Sequence, residues 1–205
     1  MSMAQEKPFA PSAERNREPL RDVLKKVLTG SGLLLEIGSG TGQHAAYLAQ
    51  DFPAYQWQPT DLPEKLDTID AWAADSDAEN ILPAIALDLA ADPSKEDWPV
   101  QQCDALVCIN TIHIVAWPLV VNLFRGASRA LKPGGVMFVY GPFEYSDRPL
   151  EPSNAEFDEW LKLRDPNSGI RKFEDVNELA EQGGLRLEED LAMPANNRSI
   201  WWRKV

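Results

Sequence analysis

Hydrophobic positions along this chain follow two patterns, stripes at helical spacing and short unbroken apolar runs, and the two alternate from one end to the other. Over residues 13–28, Leu20, Val23, Leu24, Val27 and Leu28 make the first helical stripe, with Ser12 available as a cap and Gly30 and Gly32 as a stop. Leu33, Leu34, Leu35 and Ile37 then form an apolar run bounded by glycines, the pattern of a strand buried on both faces. A helix over 43–50 and a short strand over 55–58, ending before Pro59, complete a strand, turn, helix, strand unit. The same reading gives a helix over 63–74, strands over 81–87 and 105–110, a long helix over 118–131, and a glycine stop at Lys132-Pro133-Gly134-Gly135. A strand over 136–140, helices over 154–163 and 173–182, and strands over 185–191 and 199–203 follow.

Strands separated by helices predict an α/β fold, a doubly wound, Rossmann-like, mostly parallel sheet of seven strands with helices on both faces. The final two strands are separated only by Met193-Pro194-Ala195-Asn196-Asn197, so that pair is expected to be antiparallel. A chain of 205 residues fits one domain with one core. Residues 1–12, polar and proline-containing, are expected to form a mobile tail or lid. Trp201 and Trp202 should point to opposite faces of the last strand, one into the core and the other available for an association surface, which leaves a homo-oligomer open.

Composition narrows the function classes. Hydrophobic content of 44% and charged content of 25% are ordinary globular values. A formal charge of −12 disfavours a nucleic-acid partner, because phosphate binding draws on clustered Lys and Arg; the cluster Arg15, Arg17 and Arg21 reads as a solvated helix face. Cys103 and Cys108 lack the paired spacing of a zinc site and read as free thiols, so no metal is expected. The N-terminus lacks the apolar run of a secretion signal, and no stretch has the length of a spanning helix, which together predict a cytoplasmic protein without a membrane partner.

The chemistry concentrates at Glu36-Ile37-Gly38-Ser39-Gly40-Thr41-Gly42, where the first strand hands over to a helix. Gly38, Gly40 and Gly42, with Ser39 between, allow a tight turn and a backbone approach that a Cβ would block. Asp61 follows Gly42 by nineteen residues at the end of the second strand, placed to accept from both hydroxyls of a ribose, with Leu62 beside it. Asp88, with Leu89, ends the third strand and is placed either to accept from an adenine amino group or to make its own turn. Nicotinamide dinucleotides use G-x-G-x-x-G, whereas this turn is spaced G-x-G-x-G and is preceded by an acid that would repel a pyrophosphate. Glu36 suits a ligand with cationic groups, such as the ammonium and sulfonium of S-adenosylmethionine.

Glu36 to Gly42, Asp61, Asp88 and the Lys132 to Gly135 turn resemble the class I, seven-stranded S-adenosylmethionine-dependent methyltransferases. More narrowly, the segments 12–16, 38–44, 57–61, 108–113, 123–126, 140–143, 164–166 and 193–197 resemble the DUF938 family, which includes the animal methyltransferase-like protein 26 group, and the resemblance runs from about residue 9 to the end. It implies the fold, S-adenosylmethionine as cofactor and methyl transfer as the reaction, and it supplies no acceptor. Ile114-Val115-Ala116-Trp117 departs from the Ser-Pro-Trp form associated with the family.

Methyl transfer needs alignment of the acceptor, exclusion of water and sometimes removal of a proton. Asn110 to His113 follow the fourth strand and should face the transferable methyl, with Asn110 shared between cofactor and acceptor. His113 reads either as a general base or as a satisfied structural histidine. Tyr140, Pro142 and Phe143 end the fifth strand on the same rim, as walls that exclude water or orient an acceptor, with core packing an equal reading for Tyr140. His44 reads as structural; Arg15 and Asn16 read as lid contacts or helix surface; Asn196 and Asn197 place amides over the pocket or simply make a turn. The acceptor class that fits is a small molecule, and the competing readings are a non-catalytic nucleoside-binding regulatory module and a nicotinamide-dependent oxidoreductase.

Overall fold

The computed structural model describes residues 7–92 and 98–205. Its elements run α1 (Pro11–Val27), β1 (Gly32–Ile37), α2 (Gln43–Leu48), β2 (Tyr55–Asp61), α3 (Leu66–Ala74), β3 (Ile85–Ala86), β4 (Cys103–Ile109), α4 (Trp117–Ala130), β5 (Leu131–Gly141), β6 (Phe143–Glu144), α5 (Pro152–Arg164), β7 (Arg171–Lys172), α6 (Phe173–Gln182), β8 (Leu185–Met193) and β9 (Asn197–Lys204). Seven strands form one sheet in the order β3, β2, β1, β4, β5, β9, β8. The neighbours from β3 to β5 are parallel, while β9 runs antiparallel to both β5 and β8. The chain builds outward from β1 to β3 and then crosses back to β4, so the order reverses between β1 and β4. Open α/β sheets bind ligands at such a reversal, outside the carboxyl ends of the strands.

Strand periodicity sorts the core into two layers. Leu35 and Ile37 of β1, with Leu106, Cys108, Met137 and Val139, face α4 and α6. Leu34, with Ala105, Val107, Phe138 and Tyr140, faces α1 and α2. The single expected core is therefore divided by the sheet, because successive side chains of a strand point to opposite faces. Glu36 falls in the same alternation as Leu34 and enters the α1 and α2 layer, where Trp57 meets it.

Several boundaries differ from the sequence reading. Helix α1 begins at Pro11 with Ala10 as its cap residue, so Ser12 lies inside the helix and does not cap it; proline at the first position already fixes the helical φ. Of the expected tail, residues 1–6 lie outside the described residues, whereas Lys7 to Ala10 pack on α3 through Phe9 against Trp72 and a Trp72 Nε1 bond to the Pro8 carbonyl of 3.0 Å. Strand β2 continues through Pro59 to Asp61. The strand expected over 81–87 shrinks to Ile85–Ala86 and one bridge from Ile81 to Trp57. Pro83 interrupts it by removing a donor, which the sheet tolerates because β3 is an edge. The paired strands β6 and β7 make a second, two-stranded sheet that no periodicity announced. Trp202 is core as expected, but Trp201 is half-buried and stacks on Phe138, so neither tryptophan offers an exposed association surface. Both cysteines are free and buried, with burial pushing each thiol up to about 12. No described helix is long and apolar enough to cross a membrane.

One contact sets a tolerance for α4. A Cβ added at Gly126 would stand 1.9 Å from the Trp98 ring, which is itself buried. Gly126→Ala gains helix propensity of at most about 1 kcal/mol, while forcing a ring out of a packed layer costs about 1–3 kcal/mol or more. Urea unfolding should show a lower midpoint for Gly126→Ala, with a net loss of about 1–2 kcal/mol; an unchanged or raised midpoint would mean that Trp98 is not held against the helix.

Candidate functional site

The glycine turn is built on β2. Gly38 and Ser39 both donate their amides to the Thr60 carbonyl at 3.0 Å, and the Thr60 hydroxyl donates to the Glu36 carbonyl at 2.7 Å. Gly38, Gly40 and Gly42 all have positive φ, as the sequence reading requires. They differ in what surrounds them. A Cβ at Gly38 would strike the Thr111 hydroxyl at 2.6 Å and one at Gly42 the α3 backbone at 2.7 Å, whereas one at Gly40 meets nothing within 4 Å. Gly38 and Gly42 thus serve internal packing, and Gly40 is the glycine that borders open space.

Glu36 is only 2% exposed and accepts from the Ser39 hydroxyl at 2.9 Å and from Trp57 Nε1 at 3.0 Å. Both donors fall on Oε2, leaving Oε1 without a donor among the described residues. Burial drives its pKa up to about 7 against the pull of those two hydrogen bonds. Asp61 ends β2 with Oδ2 accepting the Gly40 amide at 2.7 Å and Oδ1 accepting the Leu62 amide at 2.8 Å. A carboxylate has about four acceptor sites, so both oxygens keep capacity for further donors. Leu62 is 39% exposed beside it. Asp88 is exposed and its Oδ1 accepts the Ala90 amide at 2.8 Å, the turn-making arrangement foreseen as one of its two readings, while Leu89 is buried.

Beyond β4, Asn110 takes a left-handed conformation, φ 54°, and its amide donates to the Tyr140 carbonyl at 2.9 Å. The turn it opens is locked from behind: Arg171 Nε donates to the Ile112 carbonyl at 3.0 Å and the Gly169 amide to the His113 carbonyl at 2.9 Å. His113 is 3% exposed, its Nδ1 has no hydrogen-bond partner, and burial followed by the nearby Arg171 charge lowers its pKa to about 4. It is neutral at pH 7, and the structure gives it no partner of the kind a purely structural histidine would have. His44 differs: equally depressed to about 4 by burial, it is paired at Nε2 with Asn16 Oδ1 at 2.8 Å.

Asn110, His113 and Tyr140 line one cleft of about 760 Å³, together with Arg15, Asn16 and Pro19 of α1, Pro142, Asn197, and Asn154, Phe157, Trp160 and Arg164 of α5. Arg15 and Asn16 are therefore wall residues, and Asn197 joins them, while the Asn196 side chain instead bonds Ser153 Oγ at 3.0 Å. Phe143 is a correction to the expected rim: it is 3% exposed and packs in the α4 and α6 layer. Sequence reasoning missed the whole α5 wall. The signal was present in the helical spacing of Phe157, Trp160, Leu161 and Arg164 along one face, opposite the 86% exposed Leu163.

A family model described as a protein of unknown function, DUF938, matches residues 7–204. The chain belongs to the DUF938 family. Its fold is shared with several solved structures at low identity. An O-methyltransferase family protein from Burkholderia thailandensis superposes with a TM-score of 0.80 at 15% identity, over 94% of this chain and 57% of that one. An O-methyltransferase family 2 protein from Planctomyces limnophilus, solved with apigenin, gives 0.72 at 19% over 92% and 62%. Human N-acetylserotonin methyltransferase, solved with S-adenosylmethionine, gives 0.69 at 21% over 92% and 54%. This DUF938 chain thus spans a little over half the length of those proteins.

The buried acid of this DUF938 protein gives a pH test. A carboxyl whose pKa is higher folded than unfolded favours the folded state fully below its ordinary value of 4.5, and that contribution is lost as pH rises through about 7. Glu36→Gln keeps an acceptor oxygen for Ser39 and Trp57 and has no charge to bury. The stability of Glu36→Gln relative to the parent, from urea unfolding, should rise by up to about 3 kcal/mol between pH 4.5 and pH 8; a flat difference would mean that Glu36 titrates normally.

Proposed function

We propose that this protein is an S-adenosylmethionine-dependent methyltransferase acting on a small-molecule acceptor. The observation that carries the reading is the pairing of Gly40, which borders open space, with Glu36, a buried acid on the same turn whose Oε1 accepts no bond from any described residue. Such a turn rewards a cation, because an ammonium beside the carboxylate offsets the desolvation that raises its pKa. Asp61 is suited to a ribose and Asp88 to an adenine amino group, with Leu62 and Leu89 as apolar contacts, and the fold is one in which solved relatives hold S-adenosylmethionine.

The cofactor, when bound, supplies a methyl group on a positively charged sulfur. The protein's own contribution is placement. Thr111 underlies Gly38, so the turn bearing Asn110 and His113 abuts the glycine turn on one side and the cleft on the other. An acceptor in the cleft would be brought to that junction, in line with the methyl group that the bound cofactor would supply. Neutral His113 lines the cleft and would take the hydrogen bond, and then the proton, of an acceptor hydroxyl. Asn110 orients the same group, and Tyr140, beside Asn16 in the cleft wall, closes it against water.

Calorimetric titration with S-adenosylmethionine and S-adenosylhomocysteine, beside NADH, tests the cofactor. Saturable binding of the first two alone is the expected result, and binding of neither would sink the reading. Asp61→Ala should weaken binding by about 1–3 kcal/mol, and Gly40→Val should abolish it by filling the ligand's approach; unchanged affinity in Asp61→Ala would refute its role.

A further inference from the structure

The cleft that receives the acceptor has a charge pattern opposite to the rest of the molecule. Asp and Glu make up 32 of 205 residues, yet among the described residues none of them lines this cleft. Its charged residues are Arg15 and Arg164, and neither forms an ion pair with a described residue, although arginines elsewhere are bonded to acids, as Arg198 is to Asp190 and Arg203 to Glu188. In a chain of net charge −12, a cleft whose lining holds arginines and no acid points to an anionic ligand.

The aromatic side chains fix the direction in which that ligand would lie. The Arg164 guanidinium sits 4.6 Å over the Trp160 ring; Trp160 stacks on Phe157 at 5.7 Å and 18°; Phe157 meets the His113 ring edge-on at 5.6 Å. Exposure falls along this ladder, from an exposed Arg164 and a 48% exposed Trp160 to the 3% exposed His113. The charge is thus at the mouth, the flat apolar surface midway, and the unpartnered imidazole at the floor beside Asn110.

We infer that the methyl acceptor is an aromatic acid, its carboxylate held at the mouth by Arg15 and Arg164, its ring lying along Trp160 and Phe157, and its nucleophilic group reaching His113. The inference rests on the methyl-donor reading of the adjoining turn for the word acceptor, while the carboxylate site itself is testable without it. An anionic ligand also counters the charge of Arg171, which acts on His113 from behind.

The test uses three phenols that differ in side-chain charge: 4-hydroxyphenylacetate, its neutral amide and cationic tyramine. Binding to the full chain is measured by calorimetry and tryptophan quenching, with and without S-adenosylhomocysteine. The acid should bind about tenfold more tightly than the amide, tyramine most weakly, and the preference should shrink with added salt. Arg15→Gln and Arg164→Gln should each bring the ratio of acid to amide affinity towards one while leaving the amide's affinity and that of S-adenosylhomocysteine in place. Equal affinity for acid and amide, a preference for tyramine, no binding of any of the three, or an acid preference that survives both substitutions would overturn the inference. Should S-adenosylhomocysteine fail to bind while the arginine-dependent preference persists, the donor reading falls and the carboxylate site stands; the converse result removes the carboxylate site alone.

Discussion

The site depends on one buried carboxyl group. Glu36 sits where β1 ends, and its backbone and side chain together hold the glycine turn, the tip of β2 and the Trp57 ring in one unit. Burying an acid is costly unless donors meet it, and Ser39 and Trp57 meet only one oxygen. The result is a group that neither ionises freely nor packs as an apolar residue would, poised near neutrality by desolvation. A leucine at this position would serve the layer that Leu34 serves and would remove what makes the switch point of the sheet selective for charge.

Helix α1 shows how a second surface is attached to that unit. Its apolar stripe covers β1, β4 and β5 on one face, which places Asn16 between the start of α2 and the end of β5. Asn16 pairs with His44 at the start of α2 and lines the cleft together with Tyr140 at the end of β5. The glycine turn and the cleft wall are therefore linked across the helix by one buried amide, and Gln43 adds a bond from the Ala10 amide at the helix start. Residues that precede the sheet in sequence thus become part of the site, through packing on an ordinary helical stripe.

The apolar runs of β1 and β4 and the helical stripes of α1 and α4 were legible because both carry the period that burial imposes. Glu36, the glycine turn, Asp61 and the His113 turn were legible because strand ends at a switch point are where an α/β sheet exposes its chemistry. Other features had no local signature. Strand β3 is two residues beside Pro83, and β6 with β7 is two residues on each side, lengths at which neither alternation nor propensity is informative. The α5 wall was hidden for another reason: a helix with an aromatic face reads the same whether that face meets a core or a cleft, and only the tertiary packing shows that it meets a cleft. The two roles open for Asp88 could not be separated either, since a turn bond to Ala90 engages one oxygen and leaves the other uncommitted.

The same topology divides the site by charge. Acids gather on the side of β1, β2 and β3, at Glu36, Asp61 and Asp88, whereas the cleft reached past β4 and β5 holds arginines, amides and aromatic rings. Asn110 stands at the boundary, in a conformation that directs the chain from one side to the other. A cationic donor and an anionic acceptor would each be repelled from the wrong half, so the division discriminates between them before any contact is made. On the proposed reading the reacting atoms would lie between a neutral imidazole and a glycine backbone. That setting suits a displacement in which a positive sulfur becomes neutral, because strong fixed charges of either sign there would stabilise the starting ions more than the charge-dispersed transition state.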